Sequence, residues 1–366
     1  MASRSVFVRR MERLQRALAL EELDGVMMAP GSNIRYYTGV QSKLLERPFL
    51  FFVPAAGSAN LVAPTLEAGP YSRAPLELGI HSWDDAGGPA GAFDSLRREL
   101  PLKGRWGCEG QVPFGYLAHV SDKKLSLEPA DRLLQSIRET KEASEIASLK
   151  KAASMLSRAY LKVPGFARAG STELEVARAM REAAFAEGAE SVDFCDVQAG
   201  KHAADPHWAP SSAKLRNDEA FLIDAGCTVG GYNADITRTF VIGKDKRVED
   251  AYADVLEGQS AGLRAVAPDA LTGDVDSAAR SRIAAAGRGK HFFHRTGHGL
   301  GLEIHEEPYI VTGGRKKLRP GMVFTVEPGV YYGGRFGVRI EDDVVVTETG
   351  SDVITSGVPK EFGWWK

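Results

Sequence analysis

Four carboxylates and a histidine in the second half of the chain have types and spacing that chemistry could use. Asp224 ends the apolar run Phe221-Leu222-Ile223, and Asp235 opens Asp-Ile-Thr-Arg-Thr-Phe, with Thr228-Val229-Gly230-Gly231 between them. This pattern predicts a hairpin, in which residues equidistant from the loop centre face each other. A centre between Val229 and Gly230 sets Asp224 opposite Asp235, with Cβ atoms about 5 Å apart. A centre inside Gly230-Gly231 needs a bulge to do the same. Glu327, in Phe-Thr-Val-Glu-Pro-Gly, and Glu341, in Gly-Val-Arg-Ile-Glu-Asp, are likewise equidistant from Gly334. Pro328 has no amide hydrogen to give and would disturb that ladder locally.

Like charges facing across a sheet are destabilising. Buried carboxylates without a counter-charge take up protons or bind cations. Any one of the four, taken singly, reads as an exposed strand-end charge. Four together with one imidazole suit two divalent ions about 3.5–4 Å apart. The imidazole that fits is His298, in Gly297-His298-Gly299, whose small neighbours permit close approach. Six of the eight histidines (His202, His207, His291, His294, His298 and His305) fall in this half, in two groups. Mixed oxygen and nitrogen donors admit Mn²⁺, Co²⁺, Zn²⁺ or Fe²⁺ without selecting among them. Competing motifs are weak: there is no His-Glu-x-x-His, no Gly-x-Ser-x-Gly and no phosphate-binding Gly-Lys-Ser/Thr, and Gly297-x-Gly299-x-Gly301 has the wrong spacing for a dinucleotide loop.

These residues must be positioned by a chain of 366 residues, more than one core ordinarily organises. Residues 1–136 read as a smaller α/β domain. A helix is predicted over Val8–Leu20, strands over Gly25–Met28, Phe49–Val53 and Ala59–Val62, a turn-like segment from Ser32 to Gly39, a loop over Asp84–Pro89, and a helix over Ala92–Leu100. Residues 137–366 read as a second, α+β domain. Helices are predicted over Arg138–Lys162, Thr172–Ala186, Val248–Val266 and Gly273–Ala286. Strands are predicted over Phe221–Asp224, Asp235–Ile242, Met322–Glu327, Tyr331–Tyr332 and Val338–Val346.

Composition narrows the class. Lysine plus arginine number 46 against 48 acids, a net charge of −2, which gives no electrostatic case for nucleic acid or an anionic membrane as partner. No apolar run approaches the roughly 20 residues that span a bilayer. The N-terminal arginines are interleaved with acids, unlike a transit peptide. Three cysteines without a Cys-x-x-Cys suit a reducing cytoplasm.

At the residues above the sequence resembles the pita-bread metallopeptidases: aminopeptidase P, prolidase and methionine aminopeptidase. The matching strings are Leu222-Ile-Asp-Ala-Gly226, Asp235-Ile-Thr-Arg-Thr-Phe240, Gly297-His-Gly-Leu-Gly-Leu-Glu-Ile-His-Glu306, Thr325-Val-Glu-Pro-Gly329 and Gly337-Val-Arg-Ile-Glu-Asp342. Asn33-Ile-Arg-Tyr-Tyr-Thr-Gly39 resembles the creatinase-type N-terminal domain of the Xaa-Pro branch, and Ile137-Arg-Glu-Thr-Lys-Glu142 resembles the start of the catalytic domain. The resemblance implies a C-terminal pita-bread (creatinase/aminopeptidase-like) catalytic domain after a creatinase-type domain. It implies two metals on Asp224, Asp235, His298, Glu327 and Glu341, with Asp235 and Glu341 bridging, and manganese is placed first. It also implies attack on an Xaa-Pro bond by a metal-bridging hydroxide. Glu327 becomes the proton shuttle, His207 and His305 contact substrate and the tetrahedral intermediate, and His294 and Arg339 line the proline side. The remaining histidines, His202 and His291, are assigned structural or surface roles. Partners are proline-containing peptides and, by the same resemblance, a second copy in a homodimer.

Prolidases act on dipeptides, and some place an arginine four residues after the histidine matching His305. Here that residue is Tyr309. The departure favours an aminopeptidase P taking longer peptides, with Tyr309 as a substrate contact and prolidase as the alternative. A non-catalytic peptide-binding module is the reading from another class, and five intact ligand positions weigh against it.

Overall fold

The computed structural model describes residues 4–365. The chain divides into two compact units, Met1–Arg138 and Glu139–Lys366.

The first unit is built on a six-stranded mixed sheet of β1 (Gly25–Met28), β2 (Leu50–Pro54), β3 (Ala59–Pro64), β4 (Leu78–Trp83), β5 (Gly104–Cys108) and β6 (Leu125–Pro129), in the order β4-β3-β2-β1-β5-β6. Its first helix, Arg4–Leu20, buries Phe7, Met11, Leu14 and Leu18, a stripe at helical spacing. Ser32–Thr38, expected as a turn, is instead a two-turn helix that buries Ile34, Tyr36 and Tyr37. Gly39, at φ 73°, ends it in the left-handed conformation that glycine adopts without strain. Asn33 is pinned there by a 2.5 Å hydrogen bond to the buried carboxylate of Glu109, which also accepts from the Ala29 amide.

Among its described residues the second unit holds three sheets. β7 (Ser191–Ala199), β8 (Glu219–Val229) and β9 (Tyr232–Ile242) form an antiparallel sheet in that order. β10 (Gly297–Gly299), β11 (Glu306–Ile310), β12 (Val323–Val326), β15 (Asp342–Val346) and β16 (Ser351–Val353) form a second, ordered β11-β10-β12-β15-β16. β13 (Gly329–Tyr332) and β14 (Phe336–Arg339) form a third. The helix predicted over Arg138–Lys162 runs over Ala143–Tyr160 behind a capping box of Glu142 and Glu145. Its Leu149, Ala153, Leu156 and Tyr160 are fully buried. The Tyr160 hydroxyl reaches the carbonyl oxygens of Ile223 and Ile236, tying together the two strands that carry Asp224 and Asp235.

One predicted register is corrected and one holds. β8 and β9 pair with Val229 opposite Tyr232, so Asp224 faces Thr237 and Asp235 faces Gly226. The turn is Gly230-Gly231, both at positive φ (61° and 81°). A two-residue hairpin of this kind needs that conformation at both central positions, which glycine supplies and Val229 could supply only with strain. The shift of two keeps both aspartates on one face and makes them diagonal neighbours. No bulge interrupts the β8–β9 register. For Glu327 and Glu341 the predicted centre at Gly334 is right: Gly329 faces Arg339 in one sheet and Val326 faces Asp342 in the next. The two glutamates sit at the break between those sheets, beside Pro328. There their amides leave the ladder, Glu327 donating to the Thr296 carbonyl (2.8 Å) and Glu341 to that of Thr237 (3.1 Å). The single strand predicted over Val338–Val346 is therefore two strands, interrupted at Glu341.

Candidate metal centre

The strands bring the five predicted ligands to one cavity of about 600 Å³, lined by Asp224, Asp235, His298, Glu327 and Glu341. A donor atom from each of Asp235, His298 and Glu341 lies within 4.8 Å of the others, and all three residues are buried. Close approach of neighbouring strands explains the glycines around the imidazole. A Cβ on Gly297 would collide with the Thr325 carbonyl, and one on Gly299 with that of Glu307.

His298 is held in the state a metal ligand needs. Its Nδ1 lies 3.1 Å from the Gly299 carbonyl oxygen and donates to it, so Nε2 carries the lone pair. Burial pushes the imidazole down to about 3, with the His305 ring adding to the effect, so it is neutral at physiological pH. Nε2 faces Oε1 of Glu327 at 3.3 Å and Oδ2 of Asp235 at 3.7 Å.

Three of the carboxylates, Asp235, Glu327 and Glu341, resist ionisation in isolation. Burial, then Glu341 and Asp224, push the Asp235 carboxyl well up; burial, then Glu327 and Asp224, do so for Glu341. Burial raises Glu327 to about 7, against the opposing charge of Arg339. Oδ1 of Asp224 and Oδ1 of Asp235 are buried without a hydrogen-bond partner. Unsatisfied buried oxygens converging on a neutral imidazole lone pair fit a divalent cation, which would supply the missing positive charge.

A surrounding layer fixes these ligands. Thr237 Oγ1 donates to Glu341 Oε2 at 2.5 Å and accepts from Arg339 Nε at 3.1 Å. The Asp235 amide donates to Asp343 Oδ2 (3.0 Å). Arg339, predicted to line the proline side, does reach the cavity wall. Much of its guanidinium is already used, with Nη2 on Asp224 Oδ2 at 2.7 Å and Nη1 on the Tyr331 hydroxyl at 2.9 Å. That hydroxyl in turn lies 3.0 Å from His294 Nε2, and His294 Nδ1 lies 2.7 Å from the Arg295 carbonyl oxygen. With Nδ1–H given to the carbonyl, Nε2 accepts from Tyr331. Burial, then the charge of Arg339, lowers His294 to about 3 and keeps it neutral.

His305 and His207 also line the cavity. The His305 ring stands edge-on to His298 with centroids 4.1 Å apart, and burial, then Arg295 and His207, lowers its pKa. His207 is exposed, on a loop fixed from behind: buried Glu173 accepts from His202 Nδ1 at 2.8 Å, and His202 stacks on Trp208. Tyr309 is not in the cavity wall. It pairs with His298 across β10 and β11, and its ring lies 4.6 Å beneath the Arg295 guanidinium. His291, assigned a structural role, bonds the Tyr331 carbonyl.

Sequence reasoning missed Asp196, Arg295, Phe293 and Tyr331. Asp196 lies directly opposite Asp224 across β7 and β8 and lines the cavity. Its signal was the alternation Val192-x-Phe194-x-Asp196, a half-buried strand beside the hairpin. Arg295 and Phe293 flank His294 and share its position in the wall.

Four carboxylates and an imidazole, with Asp235, His298 and Glu341 buried, meet where three sheets come together and form a candidate metal-binding group. Residues 147–348 match metallopeptidase family M24 and residues 10–140 match the creatinase/prolidase N-terminal domain. The chain belongs to metallopeptidase family M24. It is 38% identical over 364 residues to the probable dipeptidase PepE of Mycobacterium tuberculosis, covering 98% of this chain and 96% of that one. Among solved structures it is similar to dipeptidase PepE from Mycobacterium ulcerans (34% identity, TM-score 0.91, covering 99% and 98% of the two chains). It is also similar to the prolidase from Thermococcus sibiricus (33% identity, TM-score 0.92, covering 97% and 98%).

Proposed function

We propose that this chain hydrolyses Xaa-Pro bonds of short peptides, dipeptides foremost, at two divalent cations held by Asp224, Asp235, His298, Glu327 and Glu341. Those five residues would hold the cations, with manganese first among the metals. The observation that carries the reading is the convergence of Asp235, His298 and Glu341 donor atoms within 4.8 Å, in a buried place with partnerless carboxylate oxygens. Such cations supply Lewis acidity, polarising the scissile carbonyl and lowering the pKa of water towards neutrality.

The chain's own groups do the rest. Glu327, with a carboxyl raised by burial and an oxygen facing the cavity, takes the proton of the attacking water and delivers it to the proline nitrogen as the C–N bond breaks. His305, neutral through burial and the charge of Arg295, donates a hydrogen bond to the carbonyl oxygen as it gains charge. His207 approaches the same cavity from its fixed loop. His294 and Phe293 offer aromatic surface to the proline ring, which brings no amide hydrogen for a protease to bind.

The dipeptide preference is supported by the similar proteins, two of them described as dipeptidases, one of these a probable one, and the third as a prolidase. The second reading, an aminopeptidase P acting on longer peptides, is favoured by Tyr309 standing where some prolidases carry arginine. The assay compares Ala-Pro with Arg-Pro-Pro on protein loaded with Mn²⁺, Co²⁺ or Zn²⁺. Faster turnover of Ala-Pro supports the first reading, and release of arginine from the tripeptide at the higher kcat/KM replaces it with the second.

A further inference from the structure

Two guanidinium groups reach the cavity wall, and they are not equivalent. Arg339 is committed to Asp224, Thr237 and Tyr331. Arg295 is half-buried, and among the described residues no carboxylate pairs with it. It is held instead by a face: its guanidinium carbon lies 4.6 Å from the centroid of the Tyr309 ring. Tyr309 is itself fixed opposite His298 in the β10–β11 ladder. A flat guanidinium braced on an aromatic ring keeps its edge N–H groups free, in a fork that matches a carboxylate with two parallel hydrogen bonds.

The neighbourhood fits that ligand. Arg295 lines the same cavity as Glu327, His298 and His305, so it stands beside the reacting groups. In an Xaa-Pro dipeptide the free carboxylate is two bonds from the scissile nitrogen. In a longer peptide the same place holds a neutral amide carbonyl. A cation without an anionic partner, close to the carboxylate ligands, therefore meets a negative charge only when the substrate ends at proline. Tyr309 does not leave this region without a cation; it carries one on its ring.

We propose that Arg295, braced on Tyr309, is a specificity-determining residue that binds the free α-carboxylate of a dipeptide substrate. The inference rests on the Xaa-Pro reading above and deepens it. It is tested on the metal-loaded full chain by the ratio of kcat/KM for Ala-Pro to that for Ala-Pro-amide, in the wild type and in Arg295→Gln, Arg295→Lys and Tyr309→Leu. Metal content is measured in each. Losing a charge-assisted hydrogen bond to the carboxylate should lower the ratio by about 10- to 100-fold in Arg295→Gln, chiefly through KM. Arg295→Lys should recover part of it, and Tyr309→Leu should lower it less. Equal losses on the acid and the amide in Arg295→Gln, or an unchanged ratio, would overturn the proposal. Hydrolysis of neither compound by a fully metal-loaded wild type would instead overturn the Xaa-Pro reading, and the inference with it.

Discussion

Nε2 of His298 lies 3.3 Å from Oε1 of Glu327. The imidazole is neutral and its one hydrogen is given to the Gly299 carbonyl, so two acceptors face each other across this gap. Only a proton or a cation can make the arrangement favourable. The gap between these two atoms thus suits a positive charge.

Protons and metal therefore compete. In the metal-free chain Asp235, Glu327 and Glu341 have raised pKa values, Glu327 to about 7. Metal binding near neutral pH should release protons, and apparent affinity should increase from pH 5.5 to 7.5. Calorimetric titration with Mn²⁺ in buffers of different ionisation enthalpy measures the proton count, and no release at pH 6.5 would contradict the argument. For stability the sign is opposite: raised folded pKa values stabilise the metal-free chain below the ordinary carboxylate pKa of about 4, and that contribution fades as pH rises through the folded values. Chelated protein should lose stability from these groups between about pH 4.5 and 7.5, and added metal should restore it.

Ligand and non-ligand roles separate by substitution. Asp224→Asn and Glu341→Gln should each lose metal and activity, while the first unit retains its cooperative unfolding. His305→Ala should keep its metal and lose most turnover, about 100-fold or more for a group that acts on the reacting oxygen. Metal analysis beside steady-state kinetics decides this, and metal loss in His305→Ala would reverse the division of roles.

Thr237 tests the surrounding layer. Its hydroxyl bridges Glu341 and Arg339, so Thr237→Val removes two hydrogen bonds at nearly constant volume. Metal affinity should fall about 10- to 100-fold, the usual cost of losing a group that orients a ligand. An unchanged dissociation constant by competition with a fluorescent chelator would show that Glu341 is held by its backbone alone.

Asp276 supports the site from below. It is fully buried, receives both arms of Arg280 and accepts from Thr296 and Thr312, and the Thr296 carbonyl holds the Glu327 amide. Burial raises its carboxyl, but these hydrogen bonds outweigh it and leave the pKa below the usual value. A depressed folded pKa contributes stability above the unfolded pKa of about 3.9, lost as pH falls through the folded value. Asp276→Asn should cost about 2–4 kcal/mol at pH 7, with the difference from wild type shrinking below pH 4. Denaturant unfolding at the two pH values measures it.

Much of the site was legible because its residues lie where short-range rules govern. The Glu327–Glu341 register followed from Gly334 alone, and Pro328 announced the break at which both amides turn away from the ladder. The Asp224–Asp235 register lies two residues from the one spacing predicts because spacing carries no dihedral demand: Gly230-Gly231 is the turn because both residues need positive φ. The short strand β10 has no signal in the sequence, since Gly-His-Gly carries no periodicity and its pairing partners, Tyr309 and Phe324 among them, lie on separate strands. Nor does sequence show that Arg295 lies over Tyr309, fourteen residues on, because that contact exists only once β10 and β11 pair.

The most direct test of the account is an anomalous-difference map from crystals grown with Mn²⁺. Two peaks about 3.5–4 Å apart, contacted by Asp224, Asp235, His298, Glu327 and Glu341, are the predicted result. A map with no peak at those side chains, from protein that hydrolyses Xaa-Pro bonds, would contradict it.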